Sequence, residues 1–183
     1  MVGFENRSAA YIRVREHRKR RKPPFAGRHH LNIDTPYIRF SMATTITEIF
    51  DDFAFLDEWE DRYRYVIELG QALPPFPEAA RTDVYKVPGC VSQVWLTTNL
   101  EAGPDPIVTF AGDSDAHIVK GLVAIMLALF SGRRASEIVG LDAEATLRKL
   151  GLDEHLTPQR ANGLRSMVKR IKRDAVAALE PAE

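Results

Sequence analysis

Cys90 is the residue of this chain that is best suited to nucleophilic chemistry. It is the only cysteine among 183 residues and directly follows Pro88 and Gly89. Proline fixes a negative φ and glycine accepts a positive one, so the two suit the central positions of a type II turn. We therefore predict that Cys90 leaves a tight turn between two strands, where Gly89 allows close approach. The alternative is a buried, inert cysteine, because unpaired cysteines are among the most buried residues.

A single thiol restricts the chemistry. It can form neither an internal disulfide nor a cysteine-rich zinc site, which favours a reducing, intracellular compartment. If the thiol reacts, another molecule must handle the product, because no second cysteine can resolve it. Protease-like chemistry would need a nearby base, and His117 or His155 could be proposed, although neither lies in a local signature.

The segment Asp113-Ser114-Asp115-Ala116-His117 offers two carboxylates to a hard cation. A complete cage needs further oxygen ligands that no local pattern supplies, so we interpret the segment as a strand end followed by a helix cap. We predict no bound metal. The sequence also contains neither a P-loop nor a Rossmann glycine fingerprint.

Charge divides the chain into two parts. Residues 1–41 hold ten Lys and Arg against three Asp and Glu, whereas the remainder is acidic. We predict that 1–41 is a basic, disordered N-terminal extension and that 42–183 is one folded domain. A nucleic-acid-binding arm and a transit peptide are the less favoured alternatives. The longest uncharged apolar run, 121–130, is shorter than the roughly 20 residues that span a bilayer, so we expect a soluble, cytoplasmic protein without membrane or nucleic-acid partners.

The elements that must position the cysteine are short. Thr45 and Glu48 predict a capped first helix, and a second helix is expected from Asp57 to about Gly70. Later helices are predicted from Ile118 towards Gly132, after Asp142, and from the Thr157-Pro158 pair. Between them, residues 84–87, 91–98 and 107–110 have strand composition, with a hairpin loop at 103–106. The predicted fold class is α+β, with a small three-stranded antiparallel sheet packed against several helices.

Four segments give the chain a specific resemblance. They are W-E-D-R-Y-R-Y-V-I-E-L-G from Trp59, V-P-G-C-V-S-Q-V-W-L from Val87, G-D-S-D-A-H-I-V-K-G-L from Gly112 and H-L-T-P-Q-R-A-N-G-L from His155. Residues 45 to about 176 thereby resemble the SufE family of sulfur acceptors. The resemblance implies a SufE-like domain in which Cys90 takes persulfide sulfur from a SufS-type cysteine desulfurase, stimulates that enzyme and delivers sulfur for iron–sulfur cluster assembly. The pyridoxal phosphate belongs to the partner, so this chain is expected to need no cofactor.

The resemblance also suggests residues around the cysteine. A free thiol has a pKa near roughly 8.5, so it must be activated, either by the pocket of the partner or by a nearby cation. The resemblance makes Lys120 and Arg160 the candidate cations, with salt bridging or helix capping as the alternative for both. Gly89 and Gln93 are expected loop or partner contacts, and Asp115 is a candidate for a loop-restraining contact. The family further implies a resting loop that tucks the cysteine away and moves out on docking.

Two departures and one rival hypothesis remain. Val91 stands where the family often has Gln, and the basic extension has no family counterpart. The rival is a non-catalytic regulatory subunit that docks on the desulfurase without carrying sulfur. The expected partners are the desulfurase and a downstream iron–sulfur scaffold complex, and the sequence leaves homodimerisation open.

Overall fold

The described part of the chain begins with two helices. A computed structural model describes residues 44–89 and 91–180; the predicted basic extension thus lies outside the described residues. Helix α1 spans Ile46–Phe53, and its N-cap Thr45 forms the predicted capping box with Glu48. Helix α2 spans Trp59–Gln71. It begins two residues later than predicted, because Asp57 does not cap it and the N-cap Glu58 makes no side-chain bond.

The sheet is three-stranded and antiparallel, which confirms the predicted fold class. Strands β1 (Val94–Leu100), β2 (Ile107–Ser114) and β3 (Arg133–Arg134) lie in that order. The β1–β2 hairpin is where it was predicted, but the remaining strand is not. Residues 84–87 form only an isolated bridge between Lys86 and Trp95.

The location of the third strand has a physical reason. Of the predicted strand 84–87, only Val87 is buried, so the segment has no continuous apolar face to hold it along the sheet. After the central helix, Gly132 adopts φ +78°, and its N–H donates to the Val108 carbonyl at 2.8 Å. This turn brings Arg133–Arg134 beside β2 instead.

Four further α-helices follow the β1–β2 hairpin in the described part of the chain. Helix α3 spans His117–Phe130, α4 Ala135–Gly140, α5 Ala143–Lys149 and α6 Pro158–Leu179. Asp142 and Thr157 cap α5 and α6 as predicted, and Pro158 occupies the first turn of α6. The short helix α4 was not predicted. A single 3₁₀ turn covers Glu78–Ala80.

Helix α3 lies at the centre of the core. Leu122, Ile125 and Met126 are at most 2% exposed. On one side the backbone of α3 touches α2 directly: a Cβ on Gly70 would lie 2.6 Å from the Gly121 nitrogen, and a Cβ on Gly121 would collide with the Val66 carbonyl. Only glycines permit this approach. In the described ranges, no helix is long and apolar enough to cross a membrane.

Candidate functional site

The chain on both sides of Cys90 is paired like the stem of a hairpin. The Val87 N–H donates to the Val94 carbonyl at 2.8 Å, and the Leu96 N–H donates to the Tyr85 carbonyl at 2.9 Å. These bonds enclose residues 88–93, which we call the Cys90 loop. Cys90 itself lies outside the described residues, so its predicted position stays a prediction.

The C-terminal end of the Cys90 loop is fastened to the end of β2. Asp115 accepts the Gln93 N–H through Oδ1 at 2.9 Å, and its own N–H donates to the Gln93 carbonyl at 3.3 Å. The Ser114 hydroxyl donates to the same carbonyl at 2.8 Å. The structure thus places two of the sequence-predicted residues, Gln93 and Asp115, in direct contact. Because the contact uses the Gln93 backbone, the Gln93 side chain remains available at the surface.

The N-terminal side of the loop rests on helix α6. Gly89 has φ +88°, the sign that the third position of a type II turn requires. A Cβ at Gly89 would lie 2.8 Å from the Ser166 hydroxyl. Glycine is therefore suited to this position both by its backbone angle and by its contact with α6.

A narrow cleft lies between the loop and the helices. Val91 and Ser92 contribute to its wall together with residues of α3 and α6, and its volume is about 30 Å³. That volume admits about two water molecules, and small-molecule sites are roughly ten times larger. Val91 itself is 85% exposed. The helix residues that line the cleft are Val119, Leu122, Gln159, Arg160, Gly163, Leu164 and Met167.

Arg160 lines both this cleft and a smaller one of about 10 Å³. Its side chain is half-buried and makes no ion pair or hydrogen bond with the described part of the chain. The second cleft is lined by Trp59 and His155, whose rings stack at 3.8 Å. The other candidate histidine, His117, is exposed at the start of α3. The structure therefore brings beside the Cys90 loop a cation that has no ion-pair partner within residues 44–89 and 91–180.

Lys120 is held differently. Its Nζ lies 2.8 Å from Asp113 Oδ1, and Arg81 Nη2 lies 2.7 Å from Asp113 Oδ2. Burial alone would raise the pKa of Asp113, but bonds from Lys120, the Ser114 backbone and Arg81 outweigh it, and the pKa is lowered. The positive charge of Lys120 is thus balanced by a buried carboxylate. The sequence analysis gave Arg81 no role, because Arg81 and Asp113 are 32 residues apart and no local spacing connects them.

Comparison with known proteins settles the family. The family described as "SufE: Fe-S metabolism associated domain" matches residues 47–175. The chain belongs to the SufE family. An uncharacterized SufE-like protein of Rhizobium meliloti is 63% identical over 137 residues, which cover 74% of this chain and 98% of that protein. A second uncharacterized SufE-like protein, from Rhizobium etli, is 61% identical over 138 residues, 75% of this chain and 93% of the relative.

Membership of the SufE family implies a role in Fe–S metabolism. No group of three or more metal-ligating side chains occurs within residues 44–89 and 91–180. The two carboxylates considered for a cation differ in environment. Asp113 is buried and paired with Arg81 and Lys120, whereas Asp115 is exposed at the end of the loop. The described part of the site is therefore the two ends of the Cys90 loop and the cleft beside it, which Arg160 lines.

Proposed function

We propose that this SufE chain carries sulfur as a persulfide on Cys90, taking it from a SufS-type cysteine desulfurase, stimulating that enzyme and delivering the sulfur for iron–sulfur cluster assembly. The main support is the arrangement of the loop that contains the chain's single cysteine. It is fastened at both ends, at Val87–Val94 and at Gln93–Asp115, while Val91 is 85% exposed. Such a loop can present one side chain to a partner while the fold stays intact.

The transfer step requires no redox cofactor on this chain. The Cys90 thiolate attacks the outer sulfur of the partner's persulfide, and a new S–S bond forms on Cys90. The S–S bond of the partner breaks, and its cysteine leaves as a thiolate, ready for another cycle. Delivery repeats the same exchange: a thiolate of the acceptor attacks the outer sulfur, and Cys90 leaves as a thiolate. Pyridoxal phosphate remains with the desulfurase.

Arg160 is the better placed of the two candidate cations for activating the thiol. It lines the same cleft as Val91 and Ser92 and has no carboxylate partner among the described residues. A nearby positive charge favours the thiolate, and it favours the persulfide anion by the same attraction. Lys120, by contrast, already neutralises Asp113. We assign Arg160 this role and give Lys120 a structural one.

The resting loop is held by contacts that can open reversibly. Releasing it requires the Gln93–Asp115 hydrogen bonds to break and Gly89 to leave Ser166. Exposed hydrogen bonds contribute about 1 kcal/mol each, so an open loop remains within reach of thermal fluctuation. Docking on the desulfurase would then select the open form.

Intact mass after incubation with a SufS-type desulfurase, pyridoxal phosphate and L-cysteine tests the proposal. We expect the wild-type chain to gain one sulfur atom, which reductant removes, and Cys90→Ser to gain none. A matched control is the double variant Cys90→Ser/Ala145→Cys, because Ala145 is an exposed position on α5. This control should take up sulfur far more slowly than the wild type.

The outcomes separate the sulfur carrier from the regulatory subunit. Equal sulfur uptake at residue 145 would show that any exposed thiol suffices and would contradict a dedicated site. If Cys90→Ser stimulates the desulfurase as well as the wild type does, the chain is a regulator, and the carrier proposal is wrong. Comparing desulfurase turnover with and without each variant completes the test.

A further inference from the structure

A partly buried ion pair secures the segment that leads into the Cys90 loop. None of residues 77–86 is buried, and we call residues 77–87 the entry arm. Arg81 anchors this arm: its guanidinium lies 2.7 Å from Asp113 Oδ2, and the Asp113 side chain is 4% exposed. We propose, on the basis of the proposed function, that Arg81 is a positioning residue for sulfur transfer. By fixing the entry arm, it confines movement to residues 88–93.

The register of the sheet places this ion pair at the base of the loop. Trp95 pairs with Asp113 across β1 and β2, and Lys86 of the entry arm bridges to Trp95 from the other side. The Arg81 guanidinium also lies over the Trp95 ring, 6.0 Å from its centroid. The entry arm is thus held at the Lys86–Trp95 pair, which is next to the Val87–Val94 hydrogen bond where the loop begins.

Asp113 links both ends of the loop to the same strand end. The next two residues, Ser114 and Asp115, hold Gln93 at the far end of the loop. Lys120, from the first turn of α3, occupies the other oxygen of Asp113. Removing Arg81 therefore leaves the buried carboxylate with one cation, so the fold should survive the substitution.

The physical consequence concerns where the thiol can go. Sulfur transfer requires two sulfur atoms to meet in line, and a misplacement of about 1 Å can cost about 100-fold in rate. When the entry arm is fixed, the thiol can move only as far as residues 88–93 allow. With the arm loose, both the arm and the loop swing, and fewer encounters are productive. A small alkylating reagent has no such requirement.

Single-turnover transfer tests the inference. A persulfide-loaded desulfurase is mixed with wild type, Arg81→Gln or Arg81→Lys, and the sulfur on Cys90 is followed by intact mass. We expect Arg81→Gln to lower the maximal transfer rate about tenfold, while iodoacetamide alkylation of Cys90 is unchanged or faster. Arg81→Lys should recover part of the rate, because it keeps the charge but not the planar fork.

Two control variants exclude a general charge effect. Glu78→Gln removes the other ion pair of Arg81. Because the Glu78 side chain is 82% exposed, this pair contributes little, and the variant should transfer sulfur at the wild-type rate. Arg165→Gln removes a more exposed arginine, 59% against 36% for Arg81, which pairs with Glu144 at 3.7 Å. It should also behave as wild type.

Hydrogen exchange supplies a readout that a purely structural role would not give. In Arg81→Gln the Val87 and Leu96 amides, which bond across the stem, should exchange faster, while strand 107–114 keeps its protection. Uniform loss of protection, or transfer at the wild-type rate, would overturn the positioning role. If the wild type gains no sulfur at all, the proposed function fails first, and the positioning role fails with it.

Discussion

Gly89 allows the docking of the Cys90 loop to be measured. Its φ of +88° lies in the left-handed region, where a residue with a Cβ costs about 1–2 kcal/mol more than glycine. Gly89→Ala should therefore weaken the docked loop by that amount and raise the open population about 5- to 30-fold, since about 1.4 kcal/mol corresponds to a factor of ten. The added Cβ also approaches the Ser166 hydroxyl at 2.8 Å. That contact adds less, because a hydroxyl can rotate away.

The assay is the alkylation rate of Cys90 by excess iodoacetamide at fixed pH, read by intact mass. Gly132→Ala is the matched control, because Gly132 has a similar φ of +78° but open space where a Cβ would lie. We expect the Gly89 variant to alkylate about 5- to 30-fold faster than wild type, and the Gly132 variant to alkylate at the wild-type rate. The double variant Gly89→Ala/Ser166→Ala should remove the contact between the added methyl group and the Ser166 hydroxyl, but not the cost of the positive φ. If Gly89→Ala and Gly132→Ala give the same rate, Gly89 does not hold the loop and the reasoning is wrong.

The other predictions concern the residues around the loop and the helix crossing. Because the pKa of Asp113 is lowered in the fold, the stability it contributes is complete above its ordinary value of 3.8 and disappears as pH falls through the lower folded value. The free energy of unfolding in urea, measured from pH 6 to pH 2.5, should show this loss in the wild type. In Asp113→Asn this free energy should depend less steeply on pH. Asp115→Ala removes a hydrogen bond worth about 1 kcal/mol and should speed Cys90 alkylation about fivefold, a result that equal rates would contradict. Arg160→Gln should change the free energy of unfolding by less than about 0.5 kcal/mol, because its side chain has no described ion pair, yet slow sulfur transfer; normal transfer would exclude its role. Gly121→Ala should cost at least about 1–3 kcal/mol in urea unfolding, because the methyl group meets the Val66 carbonyl, and an unchanged midpoint would disprove the tight crossing.

Features encoded within a few residues were predictable from the sequence. The caps at Thr45, Asp142 and Thr157 were predicted correctly, because each side chain bonds a backbone N–H three residues away. The β1–β2 hairpin was equally local, since turn residues separate its strands. Elements that depend on distant pairing were misplaced or missed. Residues 84–87 have strand composition but only one bridge, whereas Arg133–Arg134 has no strand signal and pairs because Gly132 turns it onto β2.

The candidate site follows the same division. Proline and glycine before Cys90 predicted the positive φ of Gly89, and the family resemblance pointed to the residues near the loop. The Asp115–Gln93 bond joins residues 22 apart in sequence, and the Arg81–Asp113 pair joins residues 32 apart. No spacing rule connects such positions, so the anchor of the entry arm became visible only in three dimensions.

The contact between the glycines of α2 and α3 provides a fixed reference point for measuring the movement of the loop. Where Gly70 and Gly121 meet, main chain lies on main chain, and no side chain can rearrange between the two helices. Their separation should therefore stay constant while the Cys90 loop opens and closes. A pair of probes on exposed positions of α2 and of the loop, such as Glu60 and Val91, would report loop displacement alone, because one end of the measured distance is effectively stationary.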